Sequence, residues 1–440
     1  MATEQAELEP TGAAAEELAR QRRRILASGT IGTTIEYFDF LLYGLIAATI
    51  FRPLFFPAGS DLVGTISVLG TYAVGYAARP LGGIVFGHYG DRVGRKPIMF
   101  VTLILMGLAT TAIGLLPTYE QIGLLAPTLL VLLRFLQGFA LGGETAGAVI
   151  LAIENAPHGK RGGYAGVIQI GAALGSVFAA LAAGQVARMD EAAMLSWGWR
   201  VPFLLSAVLV VVGVYIRVKV NESPVFTRAV AAEKVEKAPL FAALKSEPKP
   251  CLTVFLTTVT ETSMLQLFTV YILTYGTATL DLSTSVLLNG ILFGNIVGIA
   301  ANPLFGRLSD FVGRKPLIAG SLVVGALYAA FVFFPMLETQ NTLLVTLAIA
   351  IPPAVIQTLI FSVEGSFYAE QFTSARMRFS GLGFSRQMGG AIGGLFPLIA
   401  TSLVAGTDTI WSVIGYYVLI SVISLGAVVA ARETRLERLA

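Results

Sequence analysis

The sequence predicts an all-α polytopic membrane protein with twelve transmembrane helices in two pseudo-symmetric halves of six. Of its 440 residues, 55% are hydrophobic and 13% are charged, and the mean hydropathy is +0.75. A soluble domain has about 25% charged residues. The segment GHYGDRVGRKP (Gly87–Pro97) recurs in the second half of the chain as GRLSDFVGRKP (Gly306–Pro316). A repeat this distant indicates two homologous halves rather than a solenoid of short units.

Twelve apolar runs reach the length of about 20 residues that a membrane-spanning helix needs. The first six lie near residues 25–50, 63–89, 97–116, 122–153, 163–187 and 198–219. The second six lie near residues 251–280, 286–306, 316–335, 341–368, 378–403 and 410–432. The chain therefore divides into an N-terminal tail (1–24), an N-terminal half (25–219), a polar linker (220–250), a C-terminal half (251–432) and a C-terminal tail (433–440).

Lys and Arg residues concentrate on one side of the predicted bundle. Of the 30 in the chain, three lie in loops on the other side (Arg52, Arg188 and Arg200) and three lie inside spans. The positive-inside rule therefore predicts that both termini and the linker are cytoplasmic, in a multi-pass protein of the plasma (cytoplasmic) membrane. This topology also accounts for the pI near 8.9, so no nucleic-acid partner is expected. No signal peptide is expected either, because the N-terminal residues are acidic and then basic, without a clear cleavage site.

Several function classes lack their motifs in this chain. No G-x-x-x-x-G-K-[ST] phosphate loop occurs, which disfavours ATP-driven transport. No nucleophile elbow or zinc motif is present, so no enzyme activity is expected. His88 and His158 are isolated loop residues, which favours solvated side chains over metal ligands. We therefore expect no metal and no cofactor, with protons as the coupling ion.

Five further motifs lie in or beside the predicted helices. They are EYFDFLLYG (Glu36–Gly44), ARPLGG (Ala78–Gly83), RFLQGFALGGE (Arg134–Glu144), WGWRVPF (Trp197–Phe203) and ESPVF (Glu222–Phe226). With the repeated loop, they resemble the major facilitator superfamily and, within it, the metabolite:proton symporter family, over nearly the whole chain. The resemblance implies the major facilitator fold and a proton-coupled importer of shikimate, 2-oxoglutarate, citrate, or proline and betaine. These motifs do not identify the substrate, and Arg386 in GFSRQMGG departs from the pattern of many relatives.

Eight ionisable residues fall inside the predicted spans. They are Glu36, Asp39, Arg79, Arg134, Glu144, Glu261, Glu364 and Arg386. Each costs about 2.5–3.5 kcal/mol at the centre of a membrane helix, so we expect them to face a cavity or a partner. Five acids against three arginines leave surplus carboxyl groups, which favours a proton-coupled carrier over a passive channel.

Asp39 and Arg134 are predicted to lie near the membrane midplane, from their distances along helices 1 and 4. A carboxylate opposite a guanidinium at that depth is an ion pair that protonation breaks. We therefore predict that this pair is linked to the proton and that Gln137, one turn away, contacts the substrate. Glu36 and Tyr43 share a helix face with Asp39. The alternative is that Arg134 only braces the bundle through Asp39 or Glu36.

The other charges in the spans leave alternatives open. Glu144 is either a second proton site or a strut, and Arg79 either binds a substrate carboxylate or has a structural role. Arg386 and Glu364 lie at similar depth, which favours a structural pair over a substrate clamp. The role of Glu261 is open.

The aromatic residues of helix 1 also bear on the substrate. Tyr37, Phe38, Phe40 and Tyr43 suit a quaternary ammonium group by cation–π attraction, or simple packing. A monocarboxylate and a betaine-like zwitterion are therefore both compatible with the sequence.

The repeated loops predict a cytoplasmic gating network. The first copy supplies Asp91, Arg92 and Arg95, and the second supplies Asp310 and Arg314, with Phe311 in place of the Arg92 equivalent. A carboxylate in such a loop is placed to cap a neighbouring helix and to pair with an arginine. A second pair of similar loops adds Glu154, Arg161, Glu370 and Arg378. The resemblance implies that such contacts bridge the halves and hold the outward-facing state.

The sequence thus predicts a monomeric proton symporter that imports a small carboxylate-bearing or zwitterionic metabolite by alternating access. A proton-coupled efflux antiporter of the same fold is the nearest alternative. A non-transporting membrane sensor is less favoured, because it does not require charges at the midplane.

Overall fold

The computed structural model describes residues 12–57, 61–93, 95–143, 145–157, 159–218, 239–373 and 375–435. These ranges are almost entirely helical and contain no strand. Within them, nine helices are long and apolar enough to cross a membrane, and two apolar helices are shorter, Phe100–Leu115 and Leu125–Leu141. Asp61–Val93 has 33 residues and is also long enough to span a bilayer. The all-α polytopic fold predicted from composition and periodicity is confirmed.

Six long helical elements form the N-terminal half. They are α1 (Ala13–Thr49), α2 (Asp61–Val93), α3 (Arg95–Leu115), α4 (Leu125–Leu141 and Thr145–Glu154), α5 (Arg161–Ala187) and α6 (Arg200–Val218). Six more form the C-terminal half. They are α7 (Pro248–Ala278), α8 (Thr284–Val312), α9 (Arg314–Glu338), α10 (Thr342–Gln371), α11 (Ala375–Gly394 and Phe396–Thr407) and α12 (Trp411–Ala430).

Two segments outside the predicted spans are also helical. α1 begins at Ala13, inside the predicted N-terminal tail, because the residues before Arg24 are mostly Ala, Glu, Leu and Arg, which favour helix. A short helix, Pro239–Ser246, lies inside the predicted linker. The apolar-run criterion missed both because neither is long and apolar.

Several helices are interrupted within the bundle. α4 breaks after Leu141 and α11 breaks at Leu395, beside a proline that cannot donate a backbone hydrogen bond. α7 and α10 contain π-helical turns at Leu267–Tyr271 and Pro352–Ile356. Such turns are frequent at functional sites in helical proteins.

The halves meet most closely where α5 begins and α8 ends. We call this end of the bundle the basic end, because Arg161, Arg314 and Lys315 lie there. A Cβ atom at Gly166 would overlap the carbonyl oxygen of Asn302, and one at Gly306 would overlap that of Gly162. Because these positions are glycine, the backbones of α5 and α8 can touch, and this contact closes the basic end.

Candidate functional site

A cavity lies between the two halves and is lined by α1, α2, α7 and α11. The cavity volume is about 40 Å³, inside a region with about 540 Å³ of space between protein atoms that includes open solvent. Four charged residues line it: Glu36, Arg79, Glu261 and Arg386. Its position between the halves, with a few converging polar groups, is typical of a binding site for a small molecule.

Arg79 lies in this cavity between two aromatic rings. Its guanidinium carbon is 4.1 Å from the centre of the Phe40 ring and 4.3 Å from that of Tyr76. The Nε atom of Arg79 is buried and has no hydrogen-bond partner among the described residues. The rings stabilise the cation but leave its hydrogen-bond donors available to a carboxylate.

Arg386 reaches the cavity from α11 and pairs with Glu364 of α10. Nη2 of Arg386 donates to Oε1 of Glu364 at 2.7 Å, as their similar predicted depth suggests. The same oxygen accepts a hydrogen bond of 2.9 Å from Nε2 of Gln169, on α5 in the other half. The sequence analysis did not predict Gln169, although a glutamine inside an apolar helix is itself a signal.

Glu261 faces this pair from α7. Its side chain is only 3% exposed, and it interacts with Glu364, Arg386 and Arg79. Hydroxyl groups of Thr258 and Thr262 lie in the same cavity wall, as the sequence TTVTETSM suggests. The residue whose role the sequence left open is therefore at the centre of the charged cluster.

Asp39 and Arg134 do not line the cavity but lie in the core of the N-terminal half, where Arg134 packs against the cavity residue Phe40. Both are fully buried. Asp39 accepts hydrogen bonds from Ser206 at 2.6 Å and from Thr110 at 3.2 Å. The Thr110 hydroxyl accepts from Gln137 at 2.7 Å, and Gln137 in turn accepts from Arg134. The structure thus connects Asp39 to Arg134 through two polar side chains, and their direct pairing stays a prediction.

Aromatic rings surround Arg134 as well. Its guanidinium carbon lies 3.8 Å from the centre of the Tyr43 ring and 4.5 Å from that of Phe40. Neither Arg134 nor Gln137 is among the described residues that line the cavity. The expected contact between Gln137 and the substrate therefore also stays a prediction.

At the basic end, Asp310 caps α5 across the boundary between the halves. Its carboxylate accepts hydrogen bonds of 2.9 Å from the backbone N–H groups of Gly162 and Gly163. It also pairs with Arg314 at 2.9 Å. A carboxylate at a helix N-terminus satisfies free N–H groups and interacts favourably with the helix dipole.

Glu370 lies at the centre of what we call the basic-end network. Its carboxylate contacts Arg314 at 3.4 Å and Arg161, from the other half, at 3.6 Å. A second pair joins the halves nearby, between Arg378 and Glu154 at 3.8 Å. Together with the Asp310–Arg314 pair, these three contacts include every predicted gating residue whose side chain the structure describes.

The remaining predicted residues cannot be placed. Glu144 lies outside the described residues, as do the side chains of Asp91, Arg92 and Arg95. Their assigned roles stay predictions.

The segment after α12 joins the basic-end network, which the sequence did not indicate. The hydroxyl of Thr434 donates to Glu370 at 2.7 Å. The carboxylate of Glu433 accepts from the backbone N–H groups of Arg314 and Lys315, at the start of α9. The tail therefore caps α9 and holds the central carboxylate of the network.

A smaller polar contact between the halves lies away from the basic end, beside Arg134. The amide of Gln266, on α7, donates to the hydroxyl of Tyr72, on α2, at 3.0 Å.

Within the described residues, no group of three or more His, Cys, Asp or Glu side chains is arranged to hold a metal ion.

Comparisons with known proteins agree on one family. The profile of the Major Facilitator Superfamily matches residues 29–397. The chain is 38% identical to the inner membrane metabolite transport protein YhjE of Escherichia coli K12, over 87% of this chain and 88% of that protein. It is 36% identical to the shikimate transporter of the same organism, over 91% and 92% of the two chains. The glycine betaine/proline/ectoine/pipecolic acid transporter OusA of Dickeya dadantii is 32% identical, over 94% and 83%.

A solved structure shows the same fold. The proton:xylose symporter XylE, with bound 6-bromo-6-deoxy-D-glucose, superposes with a TM-score of 0.72 over 96% of this chain and 98% of that chain. The sequences are 15% identical, so this likeness concerns the fold alone.

Proposed function

This chain belongs to the major facilitator superfamily and is a multi-pass membrane transporter, not an enzyme, and we propose that it imports a small carboxylate-bearing metabolite together with a proton. In this proposal the basic end is cytoplasmic, with both termini on that side of the plasma membrane. The transporter acts as a monomer, with protons as its coupling ion and no other cofactor. The observation that carries the proposal is the cavity between the halves, with the guanidinium of Arg79 in its wall.

Arg79 supports a carboxylate as the group that is recognised. Its Nε has no hydrogen-bond partner among the described residues, although it is buried. A buried donor without a partner is costly, and a carboxylate that accepts from the guanidinium removes that cost. Shikimate, proline and glycine betaine, which occur in the names of relatives, share a single carboxylate. Because Arg386 is paired with Glu364, the guanidinium of Arg79 is the one that fits what these solutes have in common.

The aromatic residues argue for an organic acid over a quaternary ammonium ion. Phe40 and Tyr76 already face the cation of Arg79, and Tyr43 faces that of Arg134. Tyr37 packs edge-on against Phe361, with ring centres 6.1 Å apart. Because these rings are engaged, a second cation gains little from them.

The closed basic end supports alternating access. The glycine contact of α5 with α8 and the basic-end network both join the two halves. In a carrier that opens to one side at a time, such contacts must break when the basic end opens. Efflux by proton antiport uses the same contacts, so the direction of transport must be measured.

We expect purified protein in proteoliposomes to accumulate an organic acid when the outside is acidic. The test set is shikimate, oxo acids, citrate, aromatic acids and betaines, each with and without a pH gradient. Accumulation that disappears when an ionophore collapses the gradient supports symport. Uptake of a solute that is indifferent to the gradient, or accumulation only under the reversed gradient, contradicts proton-coupled import.

Replacing Arg79 with glutamine should weaken substrate binding roughly 10- to 100-fold. A hydrogen bond to a charged group contributes about 1.5–3 kcal/mol, which corresponds to that range. The measurement is the KM for uptake of the best solute in the test set. Arg188→Gln, at an exposed position beyond α5, is the matched control and should leave KM unchanged. An unchanged KM in Arg79→Gln would remove Arg79 from the binding site.

A further inference from the structure

The strongest unexplained feature beside the cavity is a pair of buried carboxyl groups, one in the cavity wall on α7 and its neighbour on α10. Glu261 and Glu364 are 3% and 0% exposed. They lie within hydrogen-bonding reach of one another. The Oε2 atom of each has no hydrogen-bond donor among the described residues. Buried acceptors without a donor are unfavourable, and a proton on one of the two carboxyl groups would let that group donate to the other.

The other oxygen of Glu364 is already fully used. Oε1 accepts from Arg386 at 2.7 Å and from Gln169 at 2.9 Å. Its partners therefore fix the orientation of the carboxyl group and leave only Oε2 for a proton. Arg386 compensates one negative charge of the pair, so the second charge needs either a proton or another cation.

The surroundings of the pair contain charges of both signs. The titratable groups that face it are Glu36 and Tyr37 of α1, Tyr76 and Arg79 of α2, Tyr368 of α10 and Arg386 of α11. α5 contributes the neutral Gln169. Two of these groups are cations, Arg79 and Arg386, and Arg386 is already paired with Glu364.

We propose that Glu261 and Glu364 bind the transported proton between them. This inference rests on the proposed function for the identity of the proton as the coupling ion. The proton comes from water on the side to which the cavity is open and is released to water on the other side. The site differs from the Asp39–Arg134 pair, which lies behind the cavity in the other half.

The position of the pair links proton binding to the substrate and to movement of the halves. Glu261 interacts with Arg79, so a substrate carboxylate bound at Arg79 withdraws compensating charge from the pair. Substrate and proton therefore bind more tightly together than apart, as linkage requires. Gln169 belongs to the N-terminal half, so proton binding at Glu364 also acts on a hydrogen bond that connects the halves.

Infrared difference spectroscopy of the purified protein in lipid nanodiscs tests this directly. On titration with acid, the wild type should show a carbonyl stretch from a buried protonated carboxyl group. Glu261→Gln and Glu364→Gln should each lose that band, whereas Asp39→Asn should retain it. Glu338→Gln, an exposed residue at the end of α9, is the matched control and should also retain it. Both glutamine variants keep the side-chain shape and remove charge repulsion, and the amide bands report whether each variant is folded.

The outcomes separate this inference from the proposed function. A wild-type band that persists in both Glu261→Gln and Glu364→Gln, or that disappears in Asp39→Asn alone, overturns the shared-proton site. If the band is lost in both glutamine variants, the shared-proton site is supported. That result holds even if no solute in the test set is taken up with a pH gradient, in which case only the proposed import fails. Where import is found, Glu261→Gln should lose gradient-driven accumulation while still exchanging the solute across the membrane.

Discussion

Replacing Gly166 with valine should abolish gradient-driven transport. The Cβ atom at this position would overlap the carbonyl oxygen of Asn302, and backbone cannot move aside as a flexible side chain can. Overpacking of this kind costs about 1–3 kcal/mol. Because α5 and α8 touch only when the basic end is closed, the cost falls on the closed state. We expect its population relative to the open state to drop roughly 10- to 100-fold.

Distances between spin labels at the basic ends of α5 and α8 measure this shift. Cys251, the only cysteine of the chain, is buried, so labels attach selectively to introduced cysteines. Gly184→Val is the matched control, because it lies on the same helix and a Cβ atom there meets nothing within 4 Å. A closed-state distance retained in Gly166→Val would show that the glycine contact is not needed for closure.

Replacing Glu370 with alanine should also open the basic end. The change removes the acceptor shared by Arg314, Arg161 and Thr434. Arg314 is only 1% exposed, and removal of one partner from a buried ion pair costs about 3 kcal/mol or more. We therefore expect a shift from closed to open of roughly a hundredfold, measured with the same labels.

Glu17→Ala is the matched control for this variant. It removes the Glu17–Arg20 pair, whose side chains are 62% and 60% exposed. Exposed pairs contribute about 0–1 kcal/mol, so the label distances should not change. If Glu370→Ala and Glu17→Ala behave alike, the basic-end network does not stabilise the closed state.

Apolar length and internal symmetry were sufficient to predict the fold. Runs such as the one from 410 to 432 match α12 (Trp411–Ala430) closely, because lipid imposes its length on any spanning helix. Loop symmetry placed Glu154, Arg161, Glu370 and Arg378 in one network, and the structure shows which of them pair. Their grouping was predictable because each residue lies near a helix end at the same side of the bundle, but the individual pairs were not.

The arrangement within the membrane was harder to predict, because depth along a helix does not give rotation about it. Asp39 and Arg134 are both buried in the N-terminal half, and the contacts described join them through Thr110 and Gln137. Glu261 and Glu364 meet because α7 and α10 turn those faces toward each other, which a single sequence does not specify. Gln169 was not predicted because it lies on α5, whose predicted span has no Asp, Glu, Lys or Arg to draw attention to its neighbours.

The contacts made by the segment after α12 have a practical consequence for fusion proteins. If a fluorescent reporter replaces the residues after Ala430, the contact of Glu433 with the start of α9 and that of Thr434 with Glu370 are both lost. Such a fusion would report on a transporter whose opening and closing it had already altered. The reporter should therefore be joined after Arg435, so that Glu433 and Thr434 keep their contacts.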